Sequence, residues 1–175
     1  MTLALALFLL PPDCASRPSI DAAVERIEKT AGDAPSQRFF RSPGNQWTNA
    51  RNRESLATAT ISRLPSGESR VEFSSASDSG DWVEYSYYFY DRRGRLLRLD
   101  RTYNTTFANS SRLERSYFDC AGRLLHKDQQ LLSLDTKKPL PPGPEDQGQP
   151  APPARPPRHP PVPRARHTRG CLPAR

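Results

Sequence analysis

His126 is the one histidine outside the Pro/Arg-rich C-terminal stretch, and its surroundings could do hydrolytic chemistry. A hairpin register pairing Asp119 with Arg123 puts it opposite Ser116 and near Glu114 and Asp128, a hydroxyl, an imidazole and carboxylates together. Against this, no Gly-x-Ser-x-Gly elbow presents the serine and no oxyanion loop is evident, and cross-strand neighbours on a wet sheet face produce such trios routinely. Cys120, in a predicted turn, is the second candidate nucleophile; only Arg123 is close in sequence, and exposure alone does not lower a thiol pKa, so an inert surface cysteine is the favoured reading. Glu84, Asp100, Glu114 and Asp128 could be searched for the paired carboxylates of glycoside chemistry. They alternate with Arg98, Arg101, Arg112 and Arg115 and read instead as cross-strand ion pairs. There is no phosphate loop and no Cys/His spacing suited to zinc. The expectation is a protein that is not an enzyme and uses no cofactor or metal.

Binding chemistry is better represented. Trp82, Tyr88 and Tyr90 share one face of a predicted strand, with Arg98 placed opposite Tyr88; aromatics beside an arginine can stack on sugars, bases or peptides. The competing reading, favoured because unburied patches of that size are uncommon on monomers, is a second small core beneath a loop over residues 33–54 anchored by Phe39, Phe40 and Trp47.

The strand carrying these aromatics belongs to the hairpin around which the chain is organised: Trp82 to Asp91, a turn through Arg92-Arg93-Gly94, then Arg95 to Tyr103. Asp at the first turn position and Gly three residues later suit a type I turn closed by a left-handed glycine, with a G1 bulge. Pairing Asp91 with Arg95 predicts Phe89 opposite Leu97, Tyr87 opposite Leu99 and Val83 opposite Tyr103 on one face. Upstream, Ile20, Ala23, Val24 and Ile27, after Pro18-Ser19 and before Gly32, predict an amphipathic helix with a serine cap and a glycine stop. Segments 55–64 and 69–75 flank Pro65-Ser66-Gly67 as another hairpin.

A third hairpin, Leu113 to Asp119 and Arg123 to Leu134, repeats the central one 28 residues on: Tyr90-Asp91-x-x-Gly94-Arg-Leu-Leu97 against Phe118-Asp119-x-x-Gly122-Arg-Leu-Leu125. The pattern resembles the YD repeats of large bacterial surface and toxin proteins. Two copies cover about a quarter of the chain, too few to close a shell or stack a solenoid. The fold expected is α+β: one N-terminal helix packed on an antiparallel meander of about six strands, residues 17–136, followed by a disordered basic tail, residues 137–175.

Charge and composition separate the same regions. Residues 137–175 hold 8 Lys or Arg against 2 acids, and 13 of the 19 prolines lie at or beyond Pro139, whereas residues 1–136 hold 18 bases and 17 acids. The basic balance therefore belongs to the tail, and no nucleic acid is expected on the folded domain. At the other end, Thr2 to Leu10 is an apolar run before Pro11-Pro12, too short to span a bilayer and suited to a signal peptide over residues 1–16. Leu10-Pro-Pro-Asp-Cys14 fits a lipoprotein box poorly, so removal of the leader is favoured over lipidation at Cys14. Three widely spaced cysteines make no disulfide framework beyond a single Cys14–Cys120 bridge.

Together these features give the expectation of an exported bacterial protein, periplasmic or secreted and without a transmembrane span. It would be a monomer and a non-catalytic module that uses a sheet face to bind a partner protein or small ligand. The alternatives are a small periplasmic hydrolase or thiol enzyme using His126 or Cys120, and a cytoplasmic protein whose basic tail contacts RNA or acidic surfaces.

Overall fold

A computed structural model describes residues 16–41, 47–49 and 57–141. It is an α+β fold with one helix, α1 (Arg17–Ala31), and eight strands: β1 (Ser36–Arg41), β2 (Trp47–Thr48), β3 (Ala57–Arg63), β4 (Ser69–Ala76), β5 (Trp82–Tyr90), β6 (Leu96–Thr105), β7 (Ser110–Phe118) and β8 (Leu124–Ser133). The strands form a single antiparallel sheet in the order β2-β1-β3-β4-β5-β6-β7-β8. Eight strands replace the six expected. The two extra ones, β1 and β2, lie in the segment read as a covering loop, where Phe39 and Trp47 do pack on the sheet as anchors.

Ser16 caps α1: it and Ser19 form a reciprocal capping box, with Pro18 in the first turn and Gly32 at the C-cap. The cap is Ser16 rather than Ser19, so cleavage after Ser16 would cost the helix its cap, about 1 kcal/mol. The remainder of the expected leader, residues 1–15, lies outside the described residues, as does residue 142 onward. At the other end the ordered chain runs past Thr136. Ser133 N–H donates to the Lys138 carbonyl and Leu140 N–H to the Leu131 carbonyl, and Pro139 bridges to Leu132, so the last described residues lie against β8.

The sheet has a core on each face, because successive side chains alternate. On one face Ile20, Ala23, Val24, Ile27 and Ala31 of α1 pack with Leu64, Phe89, Leu97 and Tyr117. On the other, Ala57, Ala59, Ile61, Val71, Phe73 and Tyr88 are buried together, with Phe39, Trp47, Tyr90, Leu96 and Leu99 against them. The central strand β5 is thus apolar on both sides and covered twice, as its composition implies.

The two repeated turns are the same device atom for atom. In the first, the Asp91 Oδ1 accepts from the N–H groups of Arg93 and Arg95 at 2.9 Å each, its Oδ2 accepts from Arg95 Nε at 2.7 Å, and Gly94 N–H closes on the Asp91 carbonyl. Asp119, Ala121, Arg123 and Gly122 repeat every one of these bonds. Aromatic-Asp-x-x-Gly-Arg is therefore a turn specification in which each named polar residue has a bond to make, and shared turn chemistry accounts for the repeat.

Past the turn the expected register fails by one residue. Asp91 N–H does pair with the Arg95 carbonyl and Tyr90 lies opposite Leu96, but Leu97 is bulged, so Phe89 pairs with Arg98, Tyr87 with Asp100 and Val83 with Asn104. The bulge turns two consecutive residues toward the helix, with Leu97 in its core and Arg98 in its ion pairs. An equivalent shift follows the second turn, where Phe118 pairs with Leu124 and Tyr117 with His126.

Gly94 has φ +75° and open space where a Cβ would point, so a substitution there is opposed by backbone strain rather than by a clash. Gly94→Val is expected to lower stability by about 1–3 kcal/mol in urea unfolding. Gly122→Val, at φ +79°, should cost less, because it anchors β8, whose side chains are mostly exposed.

Candidate functional site

The bulge decides where the expected site residues fall. Arg98 is not opposite Tyr88, which pairs with Leu99; it lies on the helix face, the reverse side from Trp82, Tyr88 and Tyr90. There it is 6% exposed, stands 5.1 Å over the Phe89 ring, and donates to Asp21 at 2.8 Å and to Asp100 at 2.9 Å. Tyr88 is 5% exposed and Tyr90 packs beside it in the second core, while Trp82, six residues or more away along β5, stacks on Tyr103 at 5.8 Å. The four residues do not form one surface, and the two central tyrosines are core.

Burial leaves a mark on their chemistry. It pushes the Tyr90 hydroxyl up from 10.0 to about 12, with neighbouring Tyr88 adding to the effect, and raises Tyr88 in the same direction. An acid whose pKa is raised on folding contributes stability that is complete below its unfolded pKa and is lost as pH rises from there toward the folded value. The fold should therefore weaken between about pH 10 and pH 12. Tyr90→Phe should shift the midpoint of alkaline unfolding upward, read by circular dichroism alongside tyrosinate absorbance.

His126 and Cys120 also end up in other company than expected. His126 pairs with Tyr117 across the strands, and Ser116 pairs with Lys127 instead, so the serine is not opposite the imidazole. Its Nε2 lies 2.8 Å from Asp128 Oδ1 and 3.0 Å from Arg17 Nη1: protonated there, it donates to the carboxylate, and with the proton on Nδ1 it accepts from the guanidinium. Cys120 is exposed and disulfide-bonded, so it carries no free thiol in this state; Cys14 and Cys171 lie outside the described residues. Among the described residues, the expected set of serine, imidazole and carboxylate is thus not assembled as the sequence register had it.

The alternating charges do pair across strands, forming a network on each face. On the face away from α1, Glu84, Arg101, Glu114 and Lys127 form a ladder across β5 to β8, with contacts of 2.9, 3.8 and 3.0 Å. On the helix face Arg98 joins Asp21 and Asp100, Arg115 Nε lies 3.4 Å from Asp100, and Arg17 reaches Asp128 at 2.7 Å while covering the Tyr117 ring at 5.1 Å. Burial opposes the charge on Arg115, but Asp100 and Tyr117 more than offset it and raise its pKa above the ordinary guanidinium value.

Beside this second network, where the helix begins, the described residues leave β6–β8 uncovered and form an open groove of about 430 Å³. Two cross-strand rows make its floor: Asp100, Arg115 and Asp128, then Thr102, Leu113 and Gln130, with Arg17 of α1 as its wall. Continuing those rows onto β5 brings Tyr87 beside Asp100 and Tyr85 beside Thr102. No family model, curated protein or solved structure matches the chain. Its own geometry is therefore what any functional reading rests on. Among the described residues no group of three or more His, Cys, Asp or Glu side chains is placed to hold a metal, and no helix is long and apolar enough to cross a membrane.

Sequence reasoning missed this groove because every floor residue except Leu113 reads as one more polar position on a wet strand. The available signal was the composition of alternate positions on β6 to β8. Once the bulges are counted, these put acid, base, amide and hydroxyl side by side.

Proposed function

We propose that this chain is an exported, non-catalytic binding module that holds a small polar ligand in the groove between the start of α1 and β6–β8. The observation carrying the reading is the groove itself: its volume of about 430 Å³ is that of a small-molecule site, and it is lined by donors and acceptors in fixed cross-strand positions. The non-catalytic half is supported by the ion pairing of Arg17 with Asp128, Arg115 with Asp100 and Arg101 with Glu114, which leaves no lone acid or base among the described residues of the groove, and by the disulfide at Cys120. Export is supported by that same disulfide, since disulfides persist in oxidising compartments, and by the apolar run at Thr2 to Leu10.

A thermal-shift screen of the full chain against small polar metabolites tests the reading, together with turnover assays on activated esters and glycosides. A ligand that binds only the folded state raises the melting temperature. Gln130→Ala should abolish that rise while leaving the unliganded melting temperature unchanged. Turnover that disappears in His126→Ala while the fold survives would replace the binding module with a hydrolase.

A further inference from the structure

We infer that the groove takes a neutral, polyhydroxylated ligand, a saccharide, an inference that rests on the binding reading above and narrows it. The argument begins from charge. All three arginines of the lining are already matched, Arg17 to Asp128 at 2.7 Å, Arg115 to Asp100 at 3.4 Å and Arg101 to Glu114 at 3.8 Å, so the lining presents no net charge. An anion would have to draw an arginine from its carboxylate, and a cation the reverse; either gains one contact by breaking another.

Hydrogen-bonding character points the same way. Arginine only donates, an ionised aspartate only accepts, and Thr102 and Gln130 do both, so the groove alternates donors and acceptors at strand spacing. A hydroxyl is the ligand group that donates and accepts at one atom, and neighbouring hydroxyls can bridge the two members of an ion pair without separating them. Strands lie about 4.8 Å apart and residues two apart on one strand about 7 Å, so the floor spans about 10 by 7 Å, the footprint of a short oligosaccharide.

The apolar features suit the flat faces of sugar rings. Leu113 lies in the floor, and Tyr85 is 38% exposed at the β5 end of the row through Thr102, Leu113 and Gln130. An exposed aromatic ring one strand beyond a polar groove can stack on the C–H face of a pyranose while the groove bonds the hydroxyls of the next ring.

The test titrates the full 15N-labelled chain with maltohexaose, cellohexaose and chitohexaose, and separately with glycylglycine and inorganic phosphate, following the amides of Thr102, Leu113 and Gln130. At least one saccharide should shift those amides with saturation. Tyr85→Ala should weaken that binding about tenfold, the loss of one stacking contact, and Tyr85→Phe should hold it within about twofold. Phosphate or glycylglycine shifting these amides while no saccharide does would overturn the saccharide and leave the binding module standing. Silence from all five probes overturns the saccharide, and silence in the metabolite screen as well removes the binding module. Saccharide shifts confined to the face away from α1 would also overturn the inference.

Discussion

Phe89→Ala is expected to lower the unfolding free energy by about 3–5 kcal/mol, the range for truncating a fully buried phenylalanine. The ring is 1% exposed, lies among Ile20, Val24 and Ile27 of α1, Leu97 and Tyr117, and supports the guanidinium of Arg98. Removing it opens a cavity that the hydrogen-bonded strands on either side cannot collapse to fill, and it takes away the surface against which the helix and a nearly buried arginine are held. Urea unfolding followed by fluorescence and circular dichroism reads the loss. A value below about 1.5 kcal/mol would mean that the helix is not docked there, since the cost of such truncations depends on how well the site can close.

Tyr88→Ala should cost a comparable 3–5 kcal/mol, about the figure for a large buried aromatic, although its side chain points the opposite way. Tyr88 sits with Ala59, Ile61, Val71 and Phe73 and is 5% exposed. A small loss, under about 1 kcal/mol, would instead return the residue to the surface as part of an open aromatic platform. Because the two rings belong to separate clusters on opposite sides of the backbone, the double variant should lose close to the sum of the two. A marked shortfall would show that the two cores unfold independently.

How far these positions were legible in the chain differs by element, for physical reasons. The helix declared itself through Ile20, Ala23, Val24 and Ile27 with a serine before and a glycine after, all local signals. The hairpins β3–β4, β5–β6 and β7–β8 were equally plain, since Gly67, Gly94 and Gly122 sit where positive φ is required. β1 and β2 were not: Ser36 to Arg41 is polar save for two adjacent phenylalanines, and a strand paired with a two-residue strand on one side has little alternation to show.

Register was the deeper miss. A bulge follows both turns, and that Leu125 stays exposed while its counterpart Leu97 ends up buried under α1 is a long-range outcome absent from local pattern. That one residue carried Arg98 to the other face and dissolved the expected aromatic site. The groove was illegible for the same reason, since its wall, Arg17, stands 111 residues from the Asp128 it binds.

The twin bulges also constrain how this chain can change length. Side chains alternate with period two, so an extra residue reverses which face every later position on its strand presents unless a bulge absorbs it. Deleting Leu97 alone would leave the Asp91 turn intact and remove the bulge, with Arg98 still opposite Phe89 and Asp100 still opposite Tyr87, so β6 would keep its two faces and lose only the leucine that α1 covers. Removing Arg98 as well would invert the rest of the strand, bringing Leu99 opposite Phe89 and Asp100 toward the apolar core that holds Tyr88. Each of these two hairpins therefore holds one spare residue: the sheet can lose that one and keep its faces, whereas a second loss turns the strand inside out.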